Sequence, residues 1–253
     1  MDLKEARAGI DRVDREMRSL FTERMAIAGQ IAAIKAETDD DIYKPDREQV
    51  IIDRQTKDMD PGLVREYTAF IRRLMEISRK YQYGRTMELR DCFPFSYETE
   101  ETGQGKTALT KDLMLTGREL PDRLYDILID NDLYICRYRA EEDGAGSGWL
   151  ITVTDHMLVL PDHNRLLIMF TCPGGYSGLG KVLTMISDYG VAVTRLDTRP
   201  YTENGDFGCR FFAELAANTD TKEIRAMLFQ LSKETESMKI LGSYKCSHCR
   251  EIE

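Results

Sequence analysis

The sequence predicts two unlike folds in one chain: an all-α unit of three helices over residues 1–88, and an α+β unit of order βαββαβ over residues 165–245. Three observations carry this. Apolar residues recur at helical spacing from Ile10 to Ile34 and again from Val64 to Tyr81. Turn and helix-start signals separate those two runs. Beyond Arg165, apolar runs of strand length alternate with runs of helical period.

Helix one is predicted from about Leu3 to about Ala36, with Ile10, Val13, Met17, Leu20, Ile27, Ile31 and Ile34 on one buried face. It is long for a globular helix, which suggests an intersubunit role. The polar run Glu37–Asp41 ends it. Pro45 suits the first turn of helix two, and Asp46 and Glu48 favour that helix's positive N-terminal end. Asp60-Pro61-Gly62 is a turn that opens helix three. Its predicted face carries Val64, Tyr67, Ile71, Leu74 and Tyr81, with Ser78 and Gln82 on the same side. Three helices this thin enclose little core, so dimerisation is expected.

Residues 89–164 read as a linker plus a small region of unknown role. Tyr97–Lys106 is polar. Helical patterns are expected near Leu109–Leu115 and Leu120–Ile129, and strands at Leu133–Tyr138 and Trp149–Thr154. In the C-terminal part, strands are predicted at Leu166–Thr171, Val191–Thr198, Phe211–Ala216 and Met238–Gly242. Helices are predicted at Leu179–Tyr189 and Thr221–Glu234. This order is the ferredoxin-like plan. Residues 246–253 form a tail.

A formal charge of −9 disfavours nucleic acid or an anionic membrane as the main partner. No apolar run is long enough to span a bilayer, and the N-terminus has no secretory pattern. The six cysteines are scattered, so a reducing cytoplasm is expected. Cys246-Ser247-His248-Cys249 is a lone pair of thiols with one histidine, which is weak evidence for zinc. No metal or cofactor is expected. His156 and His163 flank a turn and read as surface groups.

The residues with chemical promise sit on the first helix. Arg24 takes the next place in the apolar series after Leu20, at the centre of the stripe, and Lys35 falls beside it. Arg7 lies on the stripe's edge, about 100° away on the wheel. A cation turned into a core needs an anion, since burial without a partner costs several kcal/mol. Arg7, Arg24 and Lys35, with Arg47, Glu48, Ser78 and Gln82, would face one cavity. Four cations against one carboxylate suit a small ligand with more than one carboxylate. Arginine grips such groups bidentately and lysine acts as a point charge. Arg12, Arg15, Arg18 and Arg72 read as solvated surface groups.

These residues resemble the all-helical chorismate mutase family. The matching stretches are Arg7-Ala8-Gly9-Ile10-Asp11 to Glu23-Arg24, then Lys35, then Tyr43-Lys44-Pro45-Asp46-Arg47-Glu48, and finally Leu74-Met75-Glu76-Ile77-Ser78 with Gln82. The resemblance implies two chains interlocked through the long first helix, each site borrowing Arg7 from the partner. It implies the rearrangement of chorismate to prephenate, which requires no cofactor or proton transfer. By resemblance, Arg7 and Arg24 grip the carboxylates, and Lys35 and Gln82 donate to the ether oxygen. Glu48 would orient the ring hydroxyl, with Arg47 and Ser78 in support. Lys44 departs from the family, where an acidic residue is common.

The C-terminal part resembles the ACT domain that ends prephenate dehydratases. The resemblance rests on Phe170-Thr171-Cys172-Pro173, Ser177-Gly178-Leu179, Leu196-Asp197-Thr198-Arg199-Pro200 and Leu241-Gly242-Ser243-Tyr244. It implies an aromatic amino-acid effector, phenylalanine first, at Ser177, Gly178, Leu179, Asp197, Thr198, Arg199 and Pro200. Gly174, Gly175 and Ser177 depart from the usual loop. The stretch 89–164 is short for a dehydratase domain. That domain's Thr-Arg-Phe signature is missing, and Thr194-Arg195-Leu196 falls inside a predicted strand. Dehydratase activity is therefore not expected. Two other functions fit the helical part: an isochorismate pyruvate lyase on the same fold, and a non-catalytic amino-acid-binding regulator. Glu48 with Gln82 favours the mutase over the first, and retention of Lys35 with Gln82 argues against the second.

Overall fold

A computed structural model describes residues 2–99, 110–116, 122–143, 146–203 and 206–246. The chain divides into two compact units, Met1–Cys92 and Phe93–Glu253. No helix among the described residues is long and apolar enough to cross a membrane.

The first unit consists of α1 (Leu3–Thr38), α2 (Pro45–Thr56) and α3 (Val64–Leu89). Asp2 caps α1 through a capping box: its carboxylate accepts from Glu5 N at 2.7 Å, and Glu5 accepts from Asp2 N at 2.9 Å. Asp39 ends α1 in the left-handed conformation, and its carboxylate takes Arg90 at 2.5 Å, joining the ends of α1 and α3. Pro45 stands at the N-terminus of α2, where its missing N–H costs nothing.

Along α1 only Ala28 and Ala32 are buried. Beside them an added Cβ on Gly29 would meet the Tyr81 ring at 3.4 Å. Small residues thus let α3 approach this side of α1. The stripe that periodicity marks as buried is exposed in the single chain: Ile10 is 62% accessible, Leu20 64% and Ile34 59%. Neither α2 nor α3 covers it. On α3 the buried face is Ile71, Met75, Ser78, Arg79, Tyr83 and Thr86, about one position round from the predicted face, and Tyr81 is exposed. The unit's core is small: Ile52, Ile71 and Met75, flanked by Ile51, Tyr67 and Leu74.

The second unit holds β1 (Thr110–Thr116), α4 (Asp122–Asp130), β2 (Tyr134–Asp143), β3 (Gly146–Thr154), β4 (Arg165–Thr171), α5 (Tyr176–Asp188), β5 (Val193–Glu203), β6 (Asp206–Leu215), α6 (Lys222–Glu234) and β7 (Ser237–Cys246). All seven strands form one mixed sheet in the order β1-β3-β2-β7-β4-β6-β5. The β4-α5-β5-β6-α6-β7 order agrees with the sequence, and its four strands are antiparallel to their neighbours among themselves. They do not stand apart, because β7 also pairs with β2 in parallel through Ile135 and Gly242.

Side chains alternate across the central strands, as the period of two requires. Leu166, Ile168, Phe170, Phe211 and Ala213 join a core with α5 and α6. Leu167, Phe212, Leu241 and Tyr244 join a second core with α4, β1, β2 and β3. The sheet is therefore covered on both faces.

Three local expectations are corrected. The segment near Leu109–Leu115, expected as helical, is strand β1, paired with β3 from Thr110↔Thr154 to Thr116↔Gly148; residue 109 lies outside the described part. Leu115 is buried and Met114 exposed, an alternation that a run this short satisfies as a strand. Part of the expected linker is also packed: Glu98 bridges to Met157 and Val159, and Phe93, Phe95 and Tyr97 lie on the α5/α6 core. His163 is buried rather than on the surface, where its Nδ1 accepts from Leu160 N at 3.3 Å and meets Ser243 Oγ at 3.2 Å. Burial pushes its pKa down to about 4, so it stays neutral.

Candidate functional site

The candidate site in the helical unit is built on facing sides of α1, α2 and α3. Arg24, half-buried on α1, donates Nη1 to Ser78 Oγ and lies 3.4 Å from Leu74 O, both on α3. Burial lowers its pKa, and the Glu48 carboxylate pushes the other way. Lys35, three turns further along α1, donates Nζ to Asp41 O at 2.5 Å and Ile42 O at 3.1 Å. Its pKa is lowered chiefly by burial. Asp40 and Asp41 oppose that shift, while Lys44 and Arg47 reinforce it. Among the described residues, no carboxylate is hydrogen-bonded to either cation. Both are held by neutral oxygens, which leaves their charge available to an anion.

Ser78 is buried and also donates to Leu74 O at 2.8 Å. Gln82, one turn beyond it, has a buried Oε1 without a hydrogen-bond partner. Turning the amide by 180° places Nε2 at that spot, so the side chain offers either polarity to a ligand. Glu48 sits in the first turn of α2 and is bonded to Arg79. Arg47 is exposed, and its charge reaches Lys35. Arg7 is exposed near the start of α1. Lys44 is turned to Asp40, at 2.6 Å.

Arg79 was missed in the sequence. The signal was present: it lies four residues after Met75 and eight after Ile71, on the face that α3 buries.

In the sheet unit, strand alternation divides the residues named for an effector. Thr198 lies opposite Phe211 and Pro200 opposite Cys209, on the α5/α6 side. Gly178 lies at the start of α5, where a Cβ would meet Pro173 O at 2.5 Å and Cys172 Cβ at 2.8 Å. Ser177 is exposed, with its hydroxyl on Gly174 O at 2.9 Å, and Leu179 packs on the core. Asp197 and Arg199 occupy the opposite face. Asp197 accepts from the Tyr125 hydroxyl at 2.6 Å and pairs with Arg195 at 2.7 Å. Arg199 pairs with Asp122 and Asp126 of α4, both at 2.7 Å, and lies 5.0 Å from the Tyr125 ring centroid.

Among the described residues, no group of three His, Cys, Asp or Glu side chains could hold a metal ion. Ser247, His248 and Cys249 lie outside the described residues.

Residues 6–83 match the family model described as chorismate mutase type II, and this segment is a domain of that family. No curated protein matches the chain. Several solved structures are similar to parts of it. One, described as GqqA, a novel type of quorum quenching acylases, is 22% identical, with a TM-score of 0.45 over 56% of this chain and 76% of that one. Prephenate dehydratase from Streptococcus mutans is 16% identical, with a TM-score of 0.42 over 53% of this chain and 74% of that one. Prephenate dehydratase from Arthrobacter aurescens in complex with L-Phe is 17% identical, with a TM-score of 0.35 over 41% of this chain and 35% of that one.

Proposed function

We propose that the chain is a chorismate mutase, converting chorismate to prephenate by Claisen rearrangement, with a second unit that binds an aromatic amino acid. One observation carries the catalytic reading: Arg24 and Lys35 are half-buried cations held only by neutral oxygens, within a chorismate mutase type II domain. A dianionic substrate completes such a pair.

The reaction needs positioning and charge stabilisation and no group transfer. In this reading Arg24 and Arg7 of the partner subunit hold the two carboxylates. Lys35 and Gln82 donate to the ether oxygen as the C–O bond breaks and negative charge grows there. Glu48 accepts from the ring hydroxyl, Ser78 keeps Arg24 in line, and Arg47 adds positive field at the rim. The donors are already held by α1 and α3, so little reorganisation falls on the transition state. A dimer follows from the exposed stripe of α1, since a second copy of that helix would cover Ile10, Val13, Met17 and Leu20.

For the sheet unit we place the effector, phenylalanine first, on the α5 side, at Ser177, Gly178, Leu179, Thr198 and Pro200. Asp197 and Arg199 then serve from behind, by tying β5 to α4. Binding there would act on turnover as feedback, which requires a coupling free energy between the sites. Such an enzyme of biosynthesis is placed in the cytoplasm.

The test is chorismate consumption by the purified chain with product identification, repeated with phenylalanine and with tyrosine. Prephenate is the expected product. Salicylate plus pyruvate released from isochorismate, offered in a parallel assay, would point to a lyase instead, and no turnover of chorismate would overturn the reading. Calorimetry with the two amino acids tests the effector separately.

A further inference from the structure

We propose that Arg79 is a positioning residue for this site: it fixes the Glu48 carboxylate, and Tyr43 fixes Arg79. The proposal rests on the catalytic reading above. Arg79 is only 8% accessible on the buried face of α3. Its Nη1 donates to Glu48 Oε1, and its guanidinium carbon stands 4.6 Å from the centroid of the Tyr43 ring. Glu48 belongs to the first turn of α2, and Tyr43 to the connection between α1 and α2. One side chain thus bridges three segments.

Charge explains why the bridge forms. A guanidinium buried on α3 needs an anion, and Glu48 supplies it. Glu48 in turn loses rotamer freedom along a flexible side chain. Among the described residues no hydrogen bond ends on its Oε2. The carboxylate is therefore anchored through one oxygen and keeps the other for a ligand hydroxyl. Arginine suits the task because its planar group can stack on an aromatic face while donating in its own plane; an ammonium keeps the charge and loses the stacking. Arg79 need not touch substrate. It sets where Glu48 stands, and a small misplacement of a positioning group can cost about a hundredfold in rate.

The test is a cycle on the full chain, with kcat, KM and thermal unfolding measured for Arg79→Gln, Arg79→Lys, Glu48→Gln and the double variant Arg79→Gln/Glu48→Gln. Arg79→Gln should lower kcat tenfold or more, with KM moving by less than about threefold. Arg79→Lys should recover most of that loss. In the Glu48→Gln background, Arg79→Gln should change kcat by no more than about twofold, because its effect runs through the missing carboxylate. If Arg79→Gln does not fold, Tyr43→Leu replaces it, with the same expected loss in the native background and none in Glu48→Gln. Full activity in Arg79→Gln, or losses that multiply in the double variant, would overturn the proposal while leaving the catalytic reading in place. A native chain without turnover on chorismate overturns that reading, and this inference with it.

Discussion

In the proposed reaction Lys35 has the most to do and the least help. Backbone oxygens hold its ammonium, and the nearby like charges of Lys44 and Arg47 join burial in lowering its pKa. Lys35→Ala removes one preorganised donor, and the expected loss is a hundredfold or more in kcat, about 3–4 kcal/mol in the barrier. A chorismate assay beside a circular-dichroism melt checks this: the fold should persist while turnover falls. The lowered pKa also sets a pH effect. Activity should fall on the alkaline side below the ordinary lysine range, as the ammonium loses its proton. Folding stability should move the other way in that window. The unfolded chain holds its proton more tightly there, so the contribution of this group to stability rises with pH until both states are neutral. A pH–rate profile and urea melts across that window separate the two trends. Arg24 and Lys35 were legible from the helical wheel. Arg79 shares the spacing of Ile71 and Met75, but one arginine on a helix rich in charge reads as solvated until the neighbouring helix is in place.

Among the elements, α1 has the most unusual exposure. It is 36 residues long, about 54 Å at 1.5 Å per residue. Its own chain buries only two alanines of it. Val13, Met17, Leu20 and Phe21 remain exposed, a surface that a stable monomer rarely leaves uncovered. In the proposed dimer, Leu20→Glu would put a charge in the middle of a helix-to-helix interface. Sedimentation should then find a monomer where the native chain is expected to be a dimer, with turnover lost together with the partner's proposed Arg7. A native chain that sediments as a monomer at micromolar concentration would refute the interlocked arrangement. Periodicity located the apolar stripe, which the single chain leaves exposed. It could not identify the partner, because a wheel records which side is apolar and not what covers it. β5 teaches the converse. Leu196, Thr198 and Pro200 look to one face and Asp197 and Arg199 to the other, so a motif contiguous in sequence is divided by the pleat.

At the scale of the whole molecule, the join between β2 and β7 makes one sheet out of what reads as two pieces. Gly242 sits at that join with φ +149°, and an added Cβ would fall against the Ile135 backbone. Both conditions oppose any side chain. Gly242→Ala should destabilise the sheet unit by about 1–3 kcal/mol, because packed backbone cannot move aside as a flexible side chain would. Thermal unfolding of the full chain checks this. Chorismate turnover below the transition should stay near native, since the candidate catalytic residues all lie in the helical unit.

From its sequence alone the chain determined the three helices, the order of the last four strands and two helices, and the cations on α1, because each follows from a local period, a cap or a charge out of place. Tertiary structure decided the rest: that the apolar stripe of α1 stays open in one chain, that Arg79 meets Glu48, that β1–β3 extend the sheet, and that Asp197 and Arg199 face α4. Those outcomes depend on which surfaces meet across distant parts of the chain, and a period in sequence carries no record of distance in space.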